Sequence, residues 1–270
     1  MFFIPSLFKN IKVYISIFLF IAIGIVAQIS VSASSQGDDE RASLLKLRDS
    51  VNKYYYTFDI KNLKKLVGES EKNISFYPNN YYSYYYNGIV RYCLGRVVYN
   101  SNSDLAYEYF DTALEMFEKA HQIQNNPVSL AMISACYGKL SSLSPIRAIF
   151  LGHKAKNRIY DAYKTSPDNP KILIVAATHL MHVPAIYGGD RKRAKALLSK
   201  SLDINSKIIE HDIFELSWAD NCEIYAYLAQ LEILNENIES ARMYMKKALD
   251  LKPNYGFVIV DLENQIKSMK

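Results

Sequence analysis

One phrase recurs along this chain: a small residue, a bulky apolar residue four positions on, a second small residue three further, then a loop carrying proline. Its clearest copy is Ala241, Met245, Ala248 and Pro253. Others are Ala155, Ile159, Ala162 and Pro167, and Ala113, Phe117, Ala120 and Pro127. Intervals of four and three keep these side chains on one side of a helix. The small residues let a neighbouring helix approach closely, and the proline blocks continuation. Such a unit cannot bury its apolar face alone, so several must stack. The phrase therefore points to an all-helical chain of stacked repeats, an architecture that usually binds rather than catalyses.

The apolar pattern divides the chain into helix pairs. Leu44, Leu47, Val51 and Tyr54 share one face, and Leu63, Leu66 and Val67 mark a second helix that ends before Pro78. The next pairs are expected over 81–99 with 103–124, 127–140 with 145–165, 170–182 with 190–204, and 218–234 with 238–251. A last helix over 255–269 would cover the open face of the final pair. Ser144 is expected to cap a helix with Pro145 at its first position, and Asp190 to cap the helix after the Gly188-Gly189 turn. No stretch alternates as a strand does.

Counted from Cys222, the last pair places Tyr225, Leu228, Ala229, Ala241, Met245, Ala248 and Pro253 at the positions that define the tetratricopeptide repeat, with Glu232 standing where an aromatic is wanted. Counted from Tyr81, Tyr84 and Gly88 fit, while Asn87 and Arg91 depart. The chain thus resembles the tetratricopeptide-repeat superfamily. The resemblance implies an all-α, right-handed solenoid of about five antiparallel helix pairs with a C-terminal capping helix. The second small residue of each copy falls at Asn73, Ala120, Ala162, Ser201 and Ala248, spacings of 47, 42, 39 and 47. The family's period is about 34, so the excess marks inserts, at 141–147, 181–189 and 206–216. The run Pro184-Ala-Ile-Tyr-Gly-Gly-Asp is similar to one found in exported bacterial members of the superfamily.

In that family the first helix of each pair lines a concave groove. Carried over residue by residue, the lining is Tyr82, Tyr85, Ile89 and Tyr92, then Val128, Ala131, Ala135 and Gly138, then Leu173, Ala177 and Leu180. This lining is apolar, suited to a peptide segment or a hydrophobic ligand, and it is equally what a self-filled core looks like. The inserts carry Leu143, Ile146, Met181, His182, Val183, Ile186 and Tyr187, and are expected to pack on each other as one wall of a binding lobe.

Lys9 and Lys12 precede an apolar run over 13–26, and Val31-Ser32-Ala33 offers the small residues that a signal peptidase reads. Residues 1–33 read as a signal peptide cleaved after Ala33, with an uncleaved anchor as the alternative. Residues 34–40 read as a flexible lead-in and 41–270 as the repeat domain. The expected location is outside the cytoplasm: exported, and periplasmic or envelope-associated if the source is bacterial.

The remaining chemistry excludes more than it assigns. With 32 basic and 27 acidic residues the chain is close to balanced, and no aromatic-basic motif points to nucleic acid. Cys93, Cys136 and Cys222 are odd in number and widely spaced, and read as buried core residues. His179 and His182 lie one turn apart with His153 in the preceding repeat, but no carboxylate accompanies them as a zinc site requires. No nucleophile elbow, phosphate loop or dinucleotide fingerprint is present. No catalytic residue, metal or cofactor is expected. Two classes remain: a scaffold for a protein or peptide partner, its own copies included, and a small-ligand binding accessory protein of a solute uptake system with an apolar interior. A membrane enters only if the N-terminal segment is retained.

Overall fold

The structure, a computed structural model, describes residues 37–207 and 212–269; the expected signal segment and the start of the lead-in lie outside the described residues. The chain divides into two compact units, residues 1–43 and 44–270. Of the first, residues 37–43 are described, and they are helical. Residues 37–40 of the expected lead-in are helical.

That helix, α1, spans 37–55. It is followed by α2 (Ile60–Phe76), α3 (Tyr81–Val98), α4 (Ser103–Ile123), α5 (Pro127–Leu143), α6 (Ala148–Thr165), α7 (Pro170–His182), α8 (Arg191–Asn205), α9 (Asn221–Leu234) and α10 (Ile238–Leu251). A π-helical turn, Phe257–Leu262, then runs into α11 (Glu263–Ser268). No strand forms among the described residues.

The helix starts are written in the sequence by one device. Asp59, Asn80, Asn102, Asn126, Asn169, Asp190, Asp220 and Asn237 each accept a backbone N–H of the following first turn through the side-chain oxygen. A short polar side chain there satisfies a donor that the helix leaves unpaired, worth about 1 kcal/mol per cap. Helix α6 departs from this pattern and from expectation. Ser144 makes no side-chain cap bond, residues Pro145–Arg147 form a 3-10 turn, and the turn is instead closed by the Ser141 hydroxyl on the Ala148 carbonyl, 2.9 Å away. Helix α5 runs on to Leu143, and α9 starts only after the Asp220 cap rather than at Trp218.

Packing follows the repeated phrase. Ala113, Phe117 and Ala120 of α4, Ala155, Ile159 and Ala162 of α6, and Ala241, Met245 and Ala248 of α10 are all buried. The same four-and-three spacing gives buried triplets in the less regular copies, Leu66, Ser70 and Asn73 in α2, and Ala194, Leu198 and Ser201 in α8. Second helices of the pairs thus bury one stripe. First helices bury nearly every side: in α7 the whole run from Lys171 to Ala177 is buried, and α7 packs on both α5 and α9. A helix apolar all round belongs to the inner layer of a fold, so the odd-numbered helices form the inside of the solenoid and the even-numbered ones its outside. Close approach within the first full pair depends on glycine. A Cβ on Gly88 would stand 2.7 Å from the Phe117 ring, and one on Gly95 would stand 2.7 Å from the Phe110 ring.

Candidate functional site

The inner layer is where the sequence places a groove, and the structure shows it filled. Tyr85, Ile89, Tyr92, Val128, Ala131, Leu173 and Ala177 are buried, and Tyr82, Ala135 and Leu180 are partly so. Only Gly138 is exposed. These residues are packed as a self-filled interior, for two identifiable reasons.

The first is a strap of the chain's own backbone, residues 212–218, crossing the inner faces of α1, α3 and α7. It has no regular structure beyond a turn in which the Phe214 amide bonds the Asp212 carboxylate, 2.9 Å, and the Glu215 amide bonds the Asp212 carbonyl, 2.9 Å. Much of its grip is on backbone atoms. The Arg48 guanidinium donates to the Ile213 carbonyl, Tyr86 donates to the Phe214 carbonyl at 2.5 Å, and Tyr56 donates to the Ser217 carbonyl at 3.2 Å. The Ser217 amide in turn donates to the Asn52 side chain at 2.8 Å. Side chains add register. Tyr82 donates to Asp212 at 2.8 Å and its ring lies 5.3 Å from that of Phe214. Lys171 pairs with Glu215, and the Trp218 indole donates to Tyr85 at 2.9 Å. Burial, reinforced at Tyr82 by the Asp212 carboxylate, pushes the Tyr82 and Tyr85 phenols above their ordinary range, so both stay neutral donors or acceptors.

The second is a buried ionic knot on the inner ends of α3 and α9. Arg96 and Glu223 are 3.3 Å apart, with side chains 5% and 1% exposed. A buried charge is tolerated only when paired and hydrogen-bonded, and each of these has its counterion and tyrosine hydroxyl partners. Tyr55 donates to Glu223 at 3.1 Å, Tyr255 donates to the other carboxylate oxygen, and Arg96 reaches the hydroxyls of Tyr55 and Tyr255 at 3.2 and 3.4 Å. The guanidinium also lies over the Phe257 ring, 4.8 Å from its centroid. Beside the knot, the Gly256 amide donates to the Tyr56 carbonyl at 2.7 Å. The C-terminal segment therefore does more than cover the last pair, as expected of it; it also closes on α1.

The positions that depart from the repeat pattern now have reasons. Asn87 donates to Ser70 at 2.8 Å and accepts from Arg91 at 2.7 Å, and Arg91 continues to Glu71 at 2.5 Å, a polar ladder joining α3 to α2. Glu232, 4% exposed, is neutralised by Lys195 at 2.6 Å. The three cysteines are buried and free, and burial pushes the Cys93 thiol up to about 12.

The insert lobe is corrected in its packing. Met181 is buried and Leu143 and Val183 are partly buried, but Ile146, Ile186 and Tyr187 point outward instead of packing on one another. Each insert is too short to fold back: the first is a single 3-10 turn, and the second is Ala185–Tyr187 closed by Gly188 at φ 98°. Gly189 is sterically fixed, since a Cβ there would stand 1.7 Å from the Val183 carbonyl oxygen. His182 accepts or donates toward Gln230 at 3.4 Å, and no three metal-binding side chains converge among the described residues.

No family model matches the chain, and no curated protein matches it. Solved structures do. TTC0263, a thermophilic TPR protein of Thermus thermophilus, is similar with a TM-score of 0.57 and 16% identity, covering 84% of this chain and 98% of that one. YrrB, described as a TPR protein with an unusual peptide-binding site, aligns at a TM-score of 0.34 and 15% identity over 74% of this chain and 83% of its own. PilF of Pseudomonas aeruginosa aligns at 0.31 and 13% over 86% and 99%. The fold is that of a helical-repeat solenoid of the tetratricopeptide type.

Proposed function

We propose that this chain is an exported, non-catalytic scaffold that holds a non-helical segment of a protein partner on the inner faces of α1, α3 and α7. One observation carries the reading: that surface already grips such a segment, the strap, largely through backbone amide and carbonyl groups. Backbone-directed contacts hold a peptide of any sequence, while Tyr82, Tyr85 and Lys171 select among sequences. The strap is tethered, so it competes with an effective concentration on the order of millimolar. Only a partner segment that complements the face better than 212–218 displaces it, which makes the strap a filter against casual peptides. The interior is packed at Tyr85, Tyr92 and Leu173, which lends no support to a small apolar ligand or an axial pore.

The test replaces residues 212–218 by a glycine-serine stretch of equal length in the full chain. A fluorescent peptide with the sequence of 212–218 is then titrated in trans and followed by anisotropy. Saturable binding to the replaced chain, with little to the parent, is expected. A replaced chain that keeps its helical circular dichroism yet takes no peptide overturns the reading. Export has its own test: N-terminal sequencing from the native host, where Ser34 is the expected first residue and an intact chain in the membrane fraction would mean an anchor.

A further inference from the structure

The turns before α6 and α8 carry apolar side chains facing solvent. Ile146 is 99% exposed and Ile186 84%, while Ile149, Phe150 and Tyr187 lie between 59% and 71%. The two turns share one side of the molecule. A Cβ on Gly188 would stand 3.8 Å from the Lys156 ammonium, and Ile149 lies two turns before Lys156 on the same face of α6.

Charge around these side chains has one sign. Between Glu118 and Asp161 the chain contains no acidic residue, while Arg147 on the turn and Lys154, Lys156 and Arg158 in α6 are basic. Helix α8 opens Arg191-Lys192-Arg193, and its acid, Asp190, is spent as the N-cap, accepting the Arg193 amide at 2.8 Å. Arg191 is used within the fold, donating to the Leu234 carbonyl at 2.5 Å, whereas Lys192 and Arg193 place charge that opposes the helix dipole in the first turn of α8. A local rule broken at an exposed site points to a task outside the fold.

We propose that this lobe docks on an anionic bilayer surface, its apolar tips entering the headgroup layer and its lysines and arginines meeting lipid phosphates. Protein-binding patches carry a contiguous core depleted of charge. Here single side chains project from two short turns with basic residues set among them and tyrosine beside them, the pattern of segments that lie in a membrane interface. The surface is distinct from the inner face that holds the strap.

The experiment uses the full chain carrying Ile186→Cys, labelled with an environment-sensitive fluorophore; Cys93, Cys136 and Cys222 are buried and do not compete for label. Phe76→Cys on α2, a position 72% exposed, serves as the reference site. With vesicles of phosphatidylcholine and phosphatidylglycerol, the probe at 186 is expected to shift to shorter wavelength and to be quenched by a lipid-borne nitroxide, and the probe at 76 is not. The effect fades on pure phosphatidylcholine and at high salt. Lys192→Glu with Arg193→Glu should weaken it by roughly tenfold or more, at about fivefold per basic residue near the surface, and acids there favour α8 rather than unfold it. A probe at 186 that stays in water on anionic vesicles overturns the proposal. So does an equal response at both sites, or a shift without lipid that grows with protein concentration, which would mark contact with a second copy.

Discussion

The indole N–H of Trp218 donates to the hydroxyl of Tyr85 across 2.9 Å, tying the strap to the N-terminal part of α3. Trp218 is the one tryptophan of the chain and is 6% exposed, so its emission reports strap docking directly. Tyr82→Ala with Lys171→Ala removes the ring contact to Phe214 and the partner of Glu215. Trp218 emission should then move to longer wavelength while helical circular dichroism is retained. Emission unchanged in that variant would show that the strap is held without these side chains.

Arg96 and Glu223 should behave as a pair. Either Arg96→Met or Glu223→Leu alone leaves one buried charge without its counterion, at a cost of about 3–5 kcal/mol. The double replacement should recover most of that loss. Chemical denaturation of the two single variants and the double measures the coupling, and additive losses would show that the two charges act independently.

Two glycine-to-alanine changes should have opposite signs. Gly68, inside α2, has no atom within 4 Å of a built Cβ, so alanine there should stabilise by about 0.5–1 kcal/mol through helix propensity. At Gly88 the same change drives a methyl into the buried Phe117 ring, and overpacking of about 1–3 kcal/mol exceeds the propensity gain. Melting temperatures of the two variants decide it; a rise at Gly88 would mean that α3 and α4 part at no cost.

Ala248 is fully buried in α10, and its carbonyl accepts from the Cys222 thiol at 3.3 Å. Ala248→Trp should loosen the last pair by about 1–3 kcal/mol or more. A melting curve identical to that of the parent would place Ala248 away from the helix contact.

Alkaline stability follows from the buried tyrosines. Burial first, and the Glu223 carboxylate second at Tyr55 and Tyr255, raises their phenols well above the ordinary value of 10; Tyr85 and Tyr92 are raised chiefly by burial. Below pH 10 both folded and unfolded chains hold these protons, so stability does not depend on them. Above pH 10 the unfolded chain releases protons that the folded chain keeps, and stability falls with every further unit of pH. Spectrophotometric titration should show a class of tyrosines that ionises only with unfolding. Ionisation of all tyrosines near pH 10 with the helices intact would contradict the burial.

The repeat register was legible because the phrase is local. Ala113, Phe117 and Ala120 meet their neighbours through helix geometry alone, and the small-residue markers from Ala120 to Ala248 are all buried. The N-caps were legible too, but only Asp190 was picked out, because asparagine in a lysine-rich and asparagine-rich chain blends into the loops. The strap was not legible. Residues 206–216 have no periodicity, and Phe214 meets Tyr82 only after five intervening helices, α4 to α8, have brought them together. Arg96 and Glu223 were missed for the same reason, each looking like an isolated polar residue within its own helix. At the inserts, apolar composition suggested burial, but Ile146 and Ile186 stand on turns too short to reach any covering surface.

The Gly256–Tyr56 hydrogen bond sets an order of events in the making of the molecule. Helix α1 offers Arg48 and Asn52, and the turn after it Tyr56, to partners that lie in the last quarter of the chain. At typical synthesis rates of 5–20 residues per second, the gap between making Tyr56 and making Gly256 is roughly ten to forty seconds. Throughout that interval the first helix pair has no seal, so the nascent chain stays open to chaperones until the segment around Gly256 is made. The segment around Gly256 is in this sense the catch of the solenoid, thrown after the helices it closes on.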